Sequence, residues 1–236
     1  LEFRRVLFRS IVVLGKMLSI VLTGAALLSG SKNAALPEKD IDGTIFLVNR
    51  QHVISEQYVP EPLRKTQVHG MSQSMREDAA AALEELFQAA QADGIKLSSV
   101  SGYRSYSKQS LLYDRKTKRT GSETEADKLV ARPGASEHQL GLAMDLATRN
   151  SSTLSEKFGS TPEGQWVYAN CQRFGFIVRY LKGYEDVTGY SFEPWHIRYV
   201  GPEHAEAIAA SGLPFETYLS GWKLELYDYL LHHATN

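Results

Sequence analysis

Three short segments concentrate side chains able to bind a metal or move a proton within otherwise apolar sequence. They are SEHQLGLAMD (136–145), EPWH (193–196) and SGYRS (101–105), with Gln109 just downstream of the last. Asp145 lies in LGLAMDLA, a run that reads as a buried strand. An ionised carboxylate there is costly unless it is paired or coordinates a metal. His138 precedes it by seven residues, and Gly141 between them lets the chain bend so that both side chains face one point. A lone His-x6-Asp pair arises readily by chance, so the second histidine matters. His196 sits in a strand-like aromatic segment three residues after Glu193. A His/Asp/His set provides three N/O ligands and leaves a fourth zinc position open, the pattern of a catalytic rather than a structural site. Glu193 then supplies a carboxylate that need not bind the metal and can take a proton from water. The single cysteine, Cys171, can make neither an internal disulfide nor a thiolate zinc site, so any metal must be held by His, Asp or Glu.

SGYRSYSKQ, PGASEHQLGLAMDL, FGFIVRY and TGYSFEPWHIRYVG, in that order, resemble the signature blocks of VanY-type D-alanyl-D-alanine carboxypeptidases. These are zinc peptidases of the hedgehog/D-Ala-D-Ala peptidase fold, and the resemblance covers about residues 45–220. It implies one zinc ion held by His138, Asp145 and His196, with Glu193 as general base and then acid. It implies that Arg104 meets the oxyanion developing on the scissile carbonyl or grips the substrate's carboxylate. Gln109, Ser136 and Tyr103 match positions near the substrate. The expected activity is removal of the C-terminal D-alanine from peptidoglycan stem peptides. L,D-carboxypeptidase action on tetrapeptide stems is the alternative on the same scaffold, followed by an endopeptidase or a non-catalytic metal-dependent binding module. Glu193 argues against the last, because a pure binder needs no base.

Other residues carry plainer expectations. Glu137 reads as an acid behind the ligands or at the surface, and Trp195 as core or pocket wall. His204, His232 and His233 are not expected to be ligands, nor are His52 and His69 in the N-terminal arm. Cys171 reads as a small buried hydrophobe, and the Tyr227–Leu231 stripe as packing.

The elements that must position these residues follow from local signals. Ser74 and Glu77 fit a capping box ahead of the helix-rich AAAALEELFQAAQAD, which Gly94 closes. Ser122 and Glu125 form a second such box. Thr161-Pro162 opens a helix expected to run to Phe174, with Gly175 as its stop. Strands are expected at 44–49, 95–100, 142–147, 176–180 and 195–200. Helices and strands are interspersed without a βαβ rhythm or a phosphate-binding glycine loop. The expectation is therefore an α+β fold: a single domain with a small, mainly antiparallel sheet flanked by helices. Its parts are a leader at 1–35, an extended arm at 36–73 that contributes strand 44–49, the zinc carboxypeptidase domain at 74–220 and an extension at 221–236.

With 236 residues, 43% of them hydrophobic and 10% aromatic, the chain can bury a sizeable core. Its net charge of −1 lacks the basic excess of a nucleic-acid binder. Arg4, Arg5, Arg9 and Lys16 precede an apolar run at 18–28, the layout of a secretory signal or, over 11–29, of a short membrane anchor. Both favour export, with a possible membrane tether and no sign of an obligate protein partner. Without residues 1–34 the remainder carries a net charge of about −5, which favours solubility.

Overall fold

A computed structural model describes residues 40–233, with side chains through residue 224. The leader and its proposed boundary at residue 35 lie outside the described residues, as do the side chains of Tyr227–Leu231, His232 and His233. Among the described residues no helix is long and apolar enough to cross a membrane.

Four apolar segments form the central sheet: β3 (Leu97–Ser101), β4 (Ala143–Thr148), β5 (Phe176–Tyr180) and β6 (Glu193–Tyr199). Their order is β3-β4-β6-β5 and every pairing is antiparallel. The register sets Asp145 directly opposite His196, Ser101 opposite Asp145, and Tyr180 opposite Glu193. Adjacent strands lie about 5 Å apart, so pairing alone gathers these residues at one end of the sheet. A two-stranded ladder, β1 (Leu63–Lys65) with β2 (Ser74–Arg76), stands beside it.

Helices flank the sheet. In α1 (Glu77–Ala92), Ala79, Ala80, Leu83, Leu86 and Ala90 are buried at helical spacing and join the main core with Leu97, Met144, Leu146 and Ile197. The chain continues through α2 (Tyr106–Thr120), α3 (Glu123–Leu129), α4 (Pro162–Asn170), α5 (Glu185–Thr188), α6 (Pro202–Ser211) and α7 (Phe215–His233). Ser105, Ser122 and Thr161 cap α2, α3 and α4 by accepting from Lys108 N, Glu125 N and Gly164 N. The helix expected to reach Phe174 tightens into a 3-10 turn over Cys171–Phe174, and Gly175 ends it in the left-handed region at φ 79°. Cys171 is buried in the main core.

Two local expectations fail for physical reasons. Ser74 caps nothing: it is the first residue of β2, its carbonyl accepts from Tyr103 N, and α1 starts at Glu77 without a side-chain cap. Residues 44–49 are irregular rather than a strand. The carbonyls of Thr44 and Phe46 accept from the Arg198 guanidinium at 2.9 Å each, so a side chain replaces a ladder there. The division after residue 220 falls inside α7, and Trp222 beyond it is buried with Phe215, Tyr218 and Leu219 against α6.

Candidate active site

His138 enters on a 3-10 turn (Glu137–Leu140) that closes at Gly141, φ 68°, just before β4. The turn docks against the loop after β3: Arg104 N donates to His138 O, and His138 Nδ1 donates to Gly102 O at 2.8 Å. Gly102 is required by close approach. A Cβ there would stand 2.6 Å from Ser74 O and 3.0 Å from Gln73 Cβ. With Nδ1 committed to a carbonyl, Nε2 carries the lone pair and faces Asp145 Oδ2 at 3.3 Å.

On the opposite strand His196 Nδ1 lies 3.0 Å from Asp145 Oδ1, and its Nε2 donates to Glu137 Oε2 at 3.4 Å. Each imidazole thus has one nitrogen facing the common centre and a second held from behind, which fixes ring orientation and tautomer. One atom from each of His138, Asp145 and His196 falls within 4.8 Å of the others, and all three residues are buried. The group could hold a metal ion, and its two imidazoles and one carboxylate suit zinc.

The electrostatics suit a metal at Asp145 and His138, whereas His196 must release a proton to bind one. Burial alone would raise Asp145, but His138 and His196 outweigh it and hold the carboxyl well below the usual range. Burial, then the Arg104 charge, lowers His138, keeping it the neutral imidazole that a metal needs. Burial opposes charge on His196 too, yet its bonds to Asp145 and Glu137 prevail and raise it to about 9. Glu193 stands with Oε2 3.9 Å from His196 Nδ1, and burial pushes it up to about 7. A carboxyl titrating near neutrality can both take and return a proton.

These groups line a cleft of about 410 Å³ whose walls include Arg104, Lys116, Ser136, Glu156, Tyr180, Tyr190, Phe192 and Trp195. Arg104 is fixed from three sides. Nη1 donates to Gln109 Oε1 at 2.7 Å, Nη2 donates to Ser101 Oγ at 2.8 Å, and Nη2 lies 3.8 Å from Asp145 Oδ2. Gln109 is fully buried and bridges Arg104 to the carbonyl of Ala131 at 2.6 Å. It meets the cleft through Arg104, whereas Ser136 lines the wall itself. Tyr103 is half-buried next to Arg104, outside the cleft-lining set. His204 lies apart, with Nδ1 2.9 Å from the Tyr218 hydroxyl.

The family model for D-alanyl-D-alanine carboxypeptidases of the VanY type matches residues 72–202, more than half of the chain, including His138, Asp145, His196, Glu193 and Arg104. The chain belongs to this family. A D-alanyl-D-alanine carboxypeptidase of Enterococcus faecalis (strain ATCC 700802 / V583) is 41% identical over 188 residues, covering 75% of this chain and 66% of its own length. The chain therefore spans about two thirds of that relative. The solved LdcB LD-carboxypeptidase superposes with a TM-score of 0.72 at 41% identity, covering 78% of this chain and 88% of that one. The D,D-pentapeptidase VanY from a VanB-type vancomycin-resistance cassette, solved in complex with Zn(II), gives 0.65 at 38%, covering 75% and 98%. These VanY-family neighbours share the mixed helix and antiparallel-sheet architecture, and one of them binds the metal that the His138/Asp145/His196 group could hold. The chain is a metallopeptidase of carboxypeptidase type.

Sequence reasoning missed Arg179 and Arg198. Each stands inside an apolar strand, FIVRY and HIRYV, and each is fully buried. A guanidinium in a core strand demands a buried acid, and here both converge on Glu137, itself 1% exposed. Glu137 is thus the acid behind the ligands, not a surface group.

Proposed function

We propose that this chain is an exported zinc carboxypeptidase that removes the C-terminal D-alanine from peptidoglycan stem peptides. His138, Asp145 and His196 are the ligands, Glu193 is the proton-transfer group, and Arg104 is the fixed cation facing the substrate. The reading is carried by one observation: two imidazoles and a carboxylate share a buried point in the wall of a cleft that also holds Glu193 and Arg104. When bound, zinc activates water and polarises a carbonyl.

The chain's own residues supply the rest. Glu193 accepts the proton of the attacking water and returns it to the leaving amine, a role suited to a carboxyl raised to about 7. Arg104, clamped by Gln109 and Ser101, presents N–H groups where negative charge develops or where a terminal carboxylate docks. Lys116 adds a second cation to the cleft, which favours a substrate ending in a free carboxylate. Trp195, Tyr190 and Phe192 provide apolar walls. Ser136 supplies a hydroxyl in the cleft wall, and Tyr103 adjoins Arg104 in the chain. The basic-then-apolar start of the chain fits export to the compartment where peptidoglycan lies.

The D,D-peptide bond of pentapeptide stems is the first assignment. Similarity to the LdcB LD-carboxypeptidase supports the L,D bond of tetrapeptide stems as a second reading on the same machinery. Glu193→Gln keeps the shape and removes the base. It is expected to retain zinc and lose about 10²–10⁴-fold in kcat. A zinc-loaded variant with full activity would remove Glu193 from the mechanism.

A further inference from the structure

Arg179 and Arg198 are the two largest fully buried side chains among the described residues. Arg179 Nε and Arg198 Nη1 donate to the same oxygen, Glu137 Oε1, at 2.8 and 2.9 Å. Two cations on one oxygen fix the plane of the carboxylate and leave Oε2 aimed at His196 Nε2. The arginines are themselves anchored. Arg198 Nη2 donates to the carbonyls of Thr44 and Phe46, while Arg179 Nη1 and Nη2 meet Glu216 Oε2 and Oε1 at 2.9 and 2.5 Å. Glu216 belongs to α7, beyond the region that the family model matches. His138 needs no such device, because a backbone carbonyl holds its second nitrogen.

We infer that Glu137 is a positioning residue for the metal centre. Locked by Arg179 and Arg198, it holds the Nε2–H of His196 so that Nδ1 faces the metal, and Glu216 on α7 is the outer member of the lock. The inference rests on the reading of His196 as a ligand. A glutamine at 137 has one carbonyl oxygen, which can serve the arginines or the imidazole but not both. If it serves the arginines, its NH2 meets the Nε2–H donor to donor and drives the ring toward the tautomer with the proton on Nδ1.

The test compares the full-length wild type, Glu137→Gln, Glu216→Gln and His196→Asn. Zinc affinity is read by competition with a chromogenic chelator, and the His196 Nε2–H signal of the zinc-loaded protein by long-range ¹H–¹⁵N correlation. Glu137→Gln is expected to weaken zinc binding by about 10–100-fold and to shift or abolish the Nε2–H signal. Glu216→Gln, which leaves Glu137 in place, is expected to weaken zinc binding by a smaller factor and to shift the same signal. Wild-type zinc affinity and an unmoved signal in Glu137→Gln would overturn the inference. If that variant does not fold, the same result in Glu216→Gln overturns it. His196→Asn separates the two levels. Should it bind zinc like the wild type, the ligand reading itself fails. Should it lose zinc while Glu137→Gln does not, only the role of Glu137 fails.

Discussion

Gln109 offers the sharpest test of how Arg104 is held. Its Oε1 accepts a hydrogen bond from Arg104 Nη1 at 2.7 Å and its Nε2 donates to Ala131 O at 2.6 Å, with the side chain fully buried. Gln109→Leu keeps the volume but leaves one guanidinium donor and one carbonyl without those partners. Orphaning a buried polar group costs about 1–3 kcal/mol, so losing both partners should cost roughly 2–6 kcal/mol of stability. The kinetic effect has a ceiling. Losing a whole oxyanion donor removes about 10²–10³ in kcat, and here Arg104 keeps Ser101 Oγ at 2.8 Å and Asp145 at 3.8 Å. About a tenfold fall in kcat/KM is expected, a minor share of that ceiling. The assay is D-alanine release from pentapeptide and tetrapeptide stems, with zinc affinity measured in parallel. Zinc affinity should stay within about twofold of wild type, because Gln109 touches none of the three ligands. A destabilised variant with unchanged kcat/KM would refute the clamp. An equal fall in zinc affinity would refute transmission through Arg104.

Trp222→Ala should cost about 3–5 kcal/mol in denaturant unfolding, since Trp222 is buried against α6; a loss below about 1 kcal/mol would make the chain after residue 220 a dispensable appendage. Burial pushes His204 down to about 4. Between pH 6.5 and 4 the unfolded chain therefore takes up a proton that the folded protein does not. Wild-type stability falls by up to about 1.4 kcal/mol per pH unit from this group, while His204→Gln escapes that loss. The stability of the variant relative to wild type should rise as pH falls through this window, and parallel urea-unfolding profiles at pH 7, 5.5 and 4.5 would contradict it.

What could be read from the chain depended on whether the signal was local. Ser122, Thr161-Pro162 and Gly175 mark helix ends through contacts within a few residues, and the structure uses each of them so. Asp145 was legible because a carboxylate in LGLAMDLA needs a partner. That its partner across the sheet is His196 follows from the β4–β6 register, which no local signal contains. Ser74 misled because its backbone is committed to β1 and to Tyr103, which a capping pattern cannot show. TIFLVN has strand composition, yet a guanidinium 152 residues away takes the carbonyl of Phe46. Glu137 was ambiguous for the same reason: its partners Arg179 and Arg198 are 42 and 61 residues downstream.

The most direct test of the central claim is mass spectrometry of products from an equimolar mixture of pentapeptide and tetrapeptide stems, with and without chelator. Loss of one C-terminal alanine, abolished by chelator and restored by zinc, is the predicted result. Preference for the pentapeptide assigns the D,D bond and preference for the tetrapeptide the L,D bond. Zinc-loaded protein that releases alanine from neither, or release that chelator leaves untouched, would contradict it.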